Sequence, residues 1–377
     1  MILLSFVTLI IDPIHGHIEV EKEFLPIIDN PYFQRLRGIK QNSLLYFVYP
    51  SATHDRFAHS LGAYHLMRKV IKNGMMDMSK EDAFHLKAAA LLHDIGHGPY
   101  SHLWERLVPD FDHEAMSEKI ITEVFNLPEV AKIIKKEHPY SQLLSSVVDV
   151  DKLDYMSRDS YFCGVGYGRT DTSRILRYLY VKEGKLCVPP KIVSSLEHVI
   201  TGRISLYKST YYHHMVRALD FNLIAIITRV RDLFEKGTEV FADAIMKKAL
   251  SGDISPEDFL QTDDAFLQYH LKRWSESEDS ILADLVDRFQ RRKGFKALNK
   301  KYDSIPDLKD FDPRYYKHTD VVDKGVYESE IYVESNNSFT PLSQASTHIA
   351  AIANQRMHEE FVIVPRELID SSKSVPK

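Results

Sequence analysis

The chain has 377 residues, 44% hydrophobic and 27% charged, with 48 basic against 53 acidic side chains for a net charge of −5. These values exclude a mostly disordered chain, a collagen-like fibre and a disulfide-dense secreted module, and the length gives a prior of two to three domains at about 150 residues each. The mild negative charge supplies no overall basic field for nucleic acid, and the two cysteines, Cys163 and Cys187, mark neither a disulfide framework nor a zinc site, as in a reduced cytoplasm.

Residues 1–11 are apolar but lack a positive flank and a small-residue cleavage site. They stop at Asp12 after about half the length a membrane span needs, so they predict a buried strand. No other stretch is long and apolar enough for a bilayer, and no membrane partner is expected. Residues 1–50 read as short strands and turns, with Asp12-Pro13 and Asn30-Pro31 as breakers. Helical patterning dominates 55–235. Ser79-Lys80-Glu81-Asp82 has the capping-box pattern, and the apolar run 84–92 must stop at Ile95-Gly96-His97-Gly98-Pro99. A second helix is predicted over 147–161, closing at Gly164, and a third over 194–235. Beyond Gly237, segments 239–250 and 256–292 look helical and 299–326 looks like a connection. Segments 326–333 and 360–364 look like strands, and 371–377 a frayed tail. There is no internal repeat. The expected architecture is mainly α: a helical core with short N-terminal strands over residues 1–235, and a smaller α+β C-terminal region over 236–377.

Histidine is the unusual entry in the composition. Of 18, ten fall between His15 and His113, and imidazole is both a common metal ligand and a proton carrier. His93-Asp94 alone means little, since composition yields about 1.4 such pairs by chance and His54-Asp55 is a second. Its placement after Ala88-Ala89-Ala90-Leu91-Leu92 matters more: a half-buried carboxylate there needs a cation, the alternative being a solvated surface helix end. Arg56 and His59 share a face if helical. Asp151, Tyr155 and Asp159 stack at i, i+4 and i+8 with Lys152 beside them, or else form part of a salt-bridged surface helix. Arg203, Tyr207 and Tyr211 repeat at i+4, a spacing more often core than site. Together His59, His93, Asp94 and Asp151 supply two nitrogens and two oxygens, suited to one divalent metal among Mn, Fe, Zn, Ni and Mg. With Arg56, Lys152 and Arg203 as phosphate-holding cations, this outlines a phosphoester hydrolase.

The order His59…His93-Asp94…Asp151 resembles the HD-domain metal phosphohydrolases. More specifically, Asp12-Pro13-Ile14-His15-Gly16-His17, Phe33-Gln34-Arg35-Leu36-Arg37-Gly38-Ile39-Lys40-Gln41, Arg56-Phe57-Ala58-His59-Ser60-Leu61-Gly62 and the block from Leu92 to His102 resemble the deoxynucleoside triphosphate triphosphohydrolases, densely over residues 9–235. The resemblance implies metal ligands at His59, His93, Asp94 and Asp151, and triphosphate contacts at Arg56, Lys152 and Arg203. It implies histidines near the α-phosphate at His97, His102 and His113, one of them the leaving-group acid, with Glu105 orienting His102. Tyr155, Asp159 and Tyr211 match a deoxyribose pocket that rejects a 2′-hydroxyl, and Gln41 a contact to the 3′-hydroxyl. Asp29, Gln34 and Arg37 match a guanine-nucleotide site, and Arg292 and Lys296 an allosteric triphosphate site.

Departures from the family pattern are Asn42-Ser43 beside the sugar, Thr8 for a lysine, Tyr207 for a histidine, and His214 for a phosphate-binding lysine. The stretch from Arg288 to Lys301 holds seven basic residues, which is a solvated helix face or a polyanion patch. The function expected is metal-dependent hydrolysis of a deoxynucleotide to deoxynucleoside and triphosphate in a cytoplasmic homodimer or homotetramer, with Mg accompanying the nucleotide. The competing readings are an HD phosphodiesterase or nucleotidase acting on another phosphoester, and a non-catalytic nucleotide- or nucleic-acid-binding regulator.

Overall fold

A computed structural model describes residues 7–292, 294–308 and 310–370. Strands β1 (Val7–Asp12) and β2 (Gly16–Glu21) pair antiparallel, with Asp12 opposite Gly16. Asp12 Oδ1 accepts from the N–H groups of Ile14 and His15, both at 2.9 Å, and Gly16 takes φ +71°, so the turn is set by an Asx turn and one left-handed glycine.

The helical core follows. Helix α1 (Arg56–Ile71) starts at Asp55, whose side chain accepts from Ala58 N at 2.8 Å; α2 (Lys80–Leu92) starts at Ser79, which accepts from Asp82 N at 2.9 Å. Both caps satisfy helix-start N–H groups that would otherwise lack partners. Helices α3 (His102–Leu107) and α4 (His113–Lys119) are short. Helix α5 (Val150–Cys163) ends at Gly164 in the left-handed region, and α6 (Val193–Leu206) and α7 (His214–Glu235) complete the core. Helix α1 is buried on nearly every side because α2 and α5 pack against it. Past α7 come α8 (Asp264–Trp274) and α9 (Ser280–Gln290).

Two further sheets close the molecule. One has the order β3 (Tyr180–Lys182), β4 (Lys185–Val188), β7 (Tyr332–Ser335), β8 (Ser338–Pro341). In the other, β9 (Arg356–Pro365) lies between β5 (Phe295–Asn299) and β6 (His318–Gly325), antiparallel to both. Most buried apolar residues form one cluster from Ile18 on β2 to Ile363 on β9, with smaller groups around Leu45 and around Leu298.

The mainly α reading holds, but several elements differ from expectation. The predicted buried strand at the start is an exposed edge: Leu9 is 59% and Ile11 82% exposed, because among the described residues β1 pairs with β2 alone. The rest of that segment, residues 1–6, and the 371–377 tail lie outside the described residues. The predicted helix 194–235 is interrupted by a π turn at Tyr207–Tyr211 and restarts at His213, which accepts from Met215 N. The span 256–292 contains α8 and α9 separated by loops rather than continuous helix. The connection 299–326 contains β6, hidden because Asp320 occupies a buried position on it; Arg217 satisfies that carboxylate. Of residues 326–331 only Val326 and Ile331 are buried, so the alternation expected there is absent, and the ladder begins at Tyr332. Strands β3, β4, β5 and β8 had no clear signal.

The basic stretch is also not one helix face. It spans the end of α9 and β5, with Arg288 paired to Asp284 and Glu367, Arg291 to Asp287, and Lys300 to Glu360. Phe289 and Phe295 are buried in the core; Lys293 lies outside the described residues. Among the described residues no helix is long and apolar enough to cross a membrane. Cys163 and Cys187 are free and buried.

Candidate active site

Four side chains from three helices meet below a large cavity. His59 comes from the first turn of α1, His93 and Asp94 from the C-terminal end of α2, and Asp151 from the first turn of α5. His59 Nδ1 donates to Asp154 Oδ2 at 2.7 Å and His93 Nδ1 to Ala90 O at 3.0 Å. In the neutral Nδ1–H form each ring presents its Nε2 lone pair to an ion. The two Nε2 atoms lie 3.3 Å apart, and Asp151 Oδ1 is 3.1 Å from that of His59 and 3.7 Å from that of His93. Asp94 adds Oδ2 at 3.7 Å from His59 and Oδ1 at 3.5 Å from His93.

Ligands about 2.1 Å from an ion sit about 3.0 Å apart at right angles and about 3.4 Å apart in a tetrahedron. The spacings among His59, His93 and Asp151 therefore fit a divalent ion with small adjustments, while Asp94 turns a different oxygen to each histidine; the mixed imidazole–carboxylate chemistry suits a borderline metal. The electrostatics agree. Burial disfavours a charged His59, yet its bonds to Asp151 and Asp154 outweigh that and raise it to about 10. The pocket thus calls for a positive charge at its centre. Asp94 is held well below the usual carboxylate range despite its burial, first by Arg56 and then by His93 and His97.

Beside this centre lies a second cluster, formed by His97, His102, Glu105 and His113. Glu105 Oε1 is 3.1 Å from His102 Nδ1 and 2.9 Å from His113 Nδ1. Its carboxyl is held low by these two histidines in spite of burial, and it raises His113 in return. His97 is driven well below the ordinary imidazole range, chiefly by burial and then by Arg56, so it is neutral. The rings of His97 and His113 stack at 4.2 Å and 20°. One ligand atom from each of the four residues lies within 4.8 Å of the others.

The cavity above, about 580 Å³, is lined by Gln41, Arg56, His93, Asp94, His97, His102, His113, Asp151, Lys152, Tyr155, Asp159, Arg203 and Tyr211. Of the predicted metal, catalytic and substrate residues, only His59 (beneath the cavity) and Glu105 (behind the histidines) are not in its wall. Arg56 is braced by Asp94 and by Ser101 Oγ at 2.8 Å. Lys152 Nζ donates to Asp149 at 2.9 Å and keeps its charge, because Asp149 and Asp151 outweigh the burial. Arg203 spends two N–H groups on the carbonyls of Val147 (3.1 Å) and Val326 (2.8 Å). Asp159 accepts from Tyr211 OH on one oxygen and pairs with His54 Nε2 at 2.7 Å on the other, while Asn42 Nδ2 lies 3.4 Å from the same His54 nitrogen. The π turn, which carries Tyr207 and Tyr211 edge to face at 4.8 Å, turns these rings toward α5.

Other residues fall elsewhere. Asp29, Gln34 and Arg37 lie away from the cavity; Gln34 donates to Ile28 O at 2.7 Å, Arg37 donates to Gln34 at 2.8 Å, and its guanidinium covers the Phe57 ring at 3.5 Å. Arg292 donates to Phe47 O, and Lys296 lines a separate recess of about 160 Å³ with His214 and Phe295. The position at which His214 departs from the family pattern is therefore outside the main cavity.

Sequence reasoning missed His54, dismissed as half of a chance pair, and Asp154 with Arg158, which an i, i+4 reading of α5 would have placed together on another face. Arg217, Lys324 and Asp220, also in the cavity wall, gave no signal. Among the described residues Asp220 Oδ1 has no hydrogen-bond partner, and Oδ2 lies 3.6 Å from Arg217; burial pushes this carboxyl up to about 6. A raised folded value favours the native state most below the unfolded value of about 4, and that advantage is lost as pH rises through about 6. Melting of wild type and Asp220→Asn between pH 4 and pH 8 should show the variant gaining relative stability across this window; parallel curves would contradict the assignment.

Comparison with known proteins places this geometry in context. Residues 56–159 match the HD domain, a span that begins at Arg56 and ends at Asp159. The uncharacterized protein YwfO of Bacillus subtilis is 30% identical over 97% of this chain and 94% of its own length. The deoxynucleoside triphosphate triphosphohydrolase SAMHD1 of Homo sapiens is 30% identical over 59% of this chain, and this match spans 45% of the human protein. A crystal structure of a phosphohydrolase from Bacteroides thetaiotaomicron superposes with a TM-score of 0.86 at 30% identity, covering 95% of this chain and all of that one. Likeness that runs nearly end to end in sequence and in backbone, centred on the span that brings the His and Asp side chains together, identifies the chain as a member of the HD-domain metal-dependent phosphohydrolases akin to the deoxynucleoside triphosphate triphosphohydrolases.

Proposed function

We propose that the protein hydrolyses deoxynucleoside triphosphates to deoxynucleoside and inorganic triphosphate. The observation that carries this reading is that one cavity joins a metal-ligand set, three cations and a tyrosine–aspartate wall, the three things such a substrate needs. The triphosphohydrolase activity named for SAMHD1 supports it. His59, His93, Asp94 and Asp151 would hold a divalent cation, which would supply Lewis-acid polarisation and lower the pKa of water.

The chain's own residues account for the rest. Arg56, Lys152 and Arg203 hold phosphate oxygens and offset charge that builds on them. Water adds to the α-phosphorus, its proton passing to bulk solvent, and the P–O5′ bond breaks, its electron pair staying on O5′. His102, whose side chain is 72% exposed and whose Nδ1 faces Glu105, donates the proton from Nε2 to that oxygen; Glu105 orients its ring. His97 and His113 flank it near the α-phosphate. Tyr155 and Tyr211 form the sugar wall, with Tyr211 fixed by Asp159 so that its ring closes the space a 2′-hydroxyl would need. Gln41 contacts the 3′-hydroxyl. The region 236–377 serves assembly and regulation, with Asp29, Gln34, Arg37, Arg292 and Lys296 as nucleotide contacts there and on the core surface.

A phosphodiesterase or nucleotidase reading finds no support in His214, which lines a separate recess, and some in Asn42, which lines the cavity. Product analysis decides. With dGTP or dATP and Mn²⁺, inorganic triphosphate should appear. Release of only pyrophosphate or orthophosphate, or preference for monophosphates or cyclic dinucleotides in the same panel, would overturn the proposal.

A further inference from the structure

The block Asp12-Pro13-Ile14-His15-Gly16-His17 carries part of the family resemblance, yet no step above uses it. In the fold its turn is joined to the underside of the metal centre. Asp154 on α5 has a fully buried side chain, and each of its oxygens takes two donors. Oδ2 accepts from His59 Nδ1 at 2.7 Å and Arg158 Nε at 2.9 Å; Oδ1 meets Arg158 Nη2 at 2.9 Å and His15 Nε2 at 2.5 Å. Arg158, also buried, extends Nη1 to Asp12 Oδ2 at 2.7 Å, and Asp12 Oδ1 holds the backbone of Ile14 and His15.

This wiring bears on the metal through one proton. His59 can offer Nε2 to an ion only while its proton sits on Nδ1, and Asp154 Oδ2 is the acceptor that keeps it there. A carboxylate is free to rotate about Cβ–Cγ unless both oxygens are engaged. The Arg158 fork sets its plane, and His15 fills the remaining position on Oδ1, which leaves Oδ2 aimed at the His59 ring. Gly62 allows the approach: a Cβ there would lie 1.9 Å from Asp154 Oδ1.

We propose that His15 and Asp12 are positioning residues of the metal centre, acting through Asp154 and Arg158 to fix His59 as the Nδ1–H tautomer and so to set the affinity for a divalent metal. This inference rests on the metal-centre reading of His59 and not on the identity of the substrate. The competing explanation is a turn that merely anchors the hairpin, which would affect stability but not coordination.

The test uses purified protein stripped with a chelator and titrated with Co²⁺, followed by visible d–d absorption and by exchangeable, hyperfine-shifted imidazole N–H proton signals. Wild type should show such signals from His59 and His93. His15→Leu should weaken Co²⁺ binding by about 10–100-fold, the range for losing a group that supports a metal ligand, and should lose the His59 signal. His15→Gln, whose amide can still donate to Asp154, should recover most of both. Folded His15→Leu that binds Co²⁺ like wild type, with both signals intact, overturns the proposal. If His15→Leu does not fold, Asp12→Asn takes its place with the same two outcomes, since it keeps the turn acceptor but weakens the hold on Arg158. Failure of wild type to bind Co²⁺ would instead overturn the metal-centre reading itself, whereas a negative triphosphate assay would touch neither.

Discussion

Asp151→Asn is expected to leave the protein folded, to strip it of most of its metal and to lower turnover by about 10²–10³-fold or more, the range for removing one electrostatic stabiliser from a catalytic site. Asp151 is the only carboxylate in the cluster not tied to a guanidinium: Asp94 is paired with Arg56 and Asp154 with Arg158. It therefore contributes the negative charge most available to an ion. His59 and His93 hold its carboxyl low against the effect of burial, so in wild type it is an anion across the whole working pH range. The amide is nearly the same size but neutral, and its N–H₂ end would face the two Nε2 lone pairs or point away from them. Metal content by elemental analysis, read beside circular dichroism and turnover, checks this. A variant that retains stoichiometric metal and near-normal turnover would remove Asp151 from the site.

Gly62→Ala should be the most damaging small substitution in the core. On an exposed helix, replacing glycine by alanine gains up to about 1 kcal/mol from propensity. Here the new Cβ would meet Asp154 Oδ1 at 1.9 Å and Arg158 Nη2 at 2.5 Å, in a buried ion pair that cannot move without leaving a charge unpaired. Disrupting such a pair costs about 3–5 kcal/mol, so the steric and electrostatic loss outweighs the propensity gain several-fold. Because Asp154 also holds His59, metal should be lost together with stability. Gly166→Ala is the control: a Cβ there meets nothing within 4 Å, and its unfolding midpoint in urea should stay near that of wild type. Equal midpoints for the two variants would show that α1 and α5 are not packed as described.

The sequence by itself determined the parts of this protein that depend on local chemistry. Ser79 could be expected to cap a helix because a short polar side chain followed by an apolar run satisfies open N–H groups. The i, i+4, i+8 spacing of Asp151, Tyr155 and Asp159 placed them on one face, and all three line the cavity. Motif order brought His59, His93, Asp94 and Asp151 forward as a set, although the segments lie far apart along the chain.

Only the tertiary structure decided the rest. Strand β6 was hidden because its buried Asp320 looks like a surface residue until Arg217, on a helix 103 positions away, is seen to satisfy it. The break before α7 depends on a π turn whose benefit lies in aiming Tyr211 at Asp159, a partner 52 positions away. The role of the Asp12–Gly16 turn was equally out of reach, since Arg158 and Asp12 are 146 positions apart. Period and capping report how a segment meets water and its own backbone; a buried charge can be read only once its counter-charge, supplied by a distant segment, has been brought to within about 3 Å.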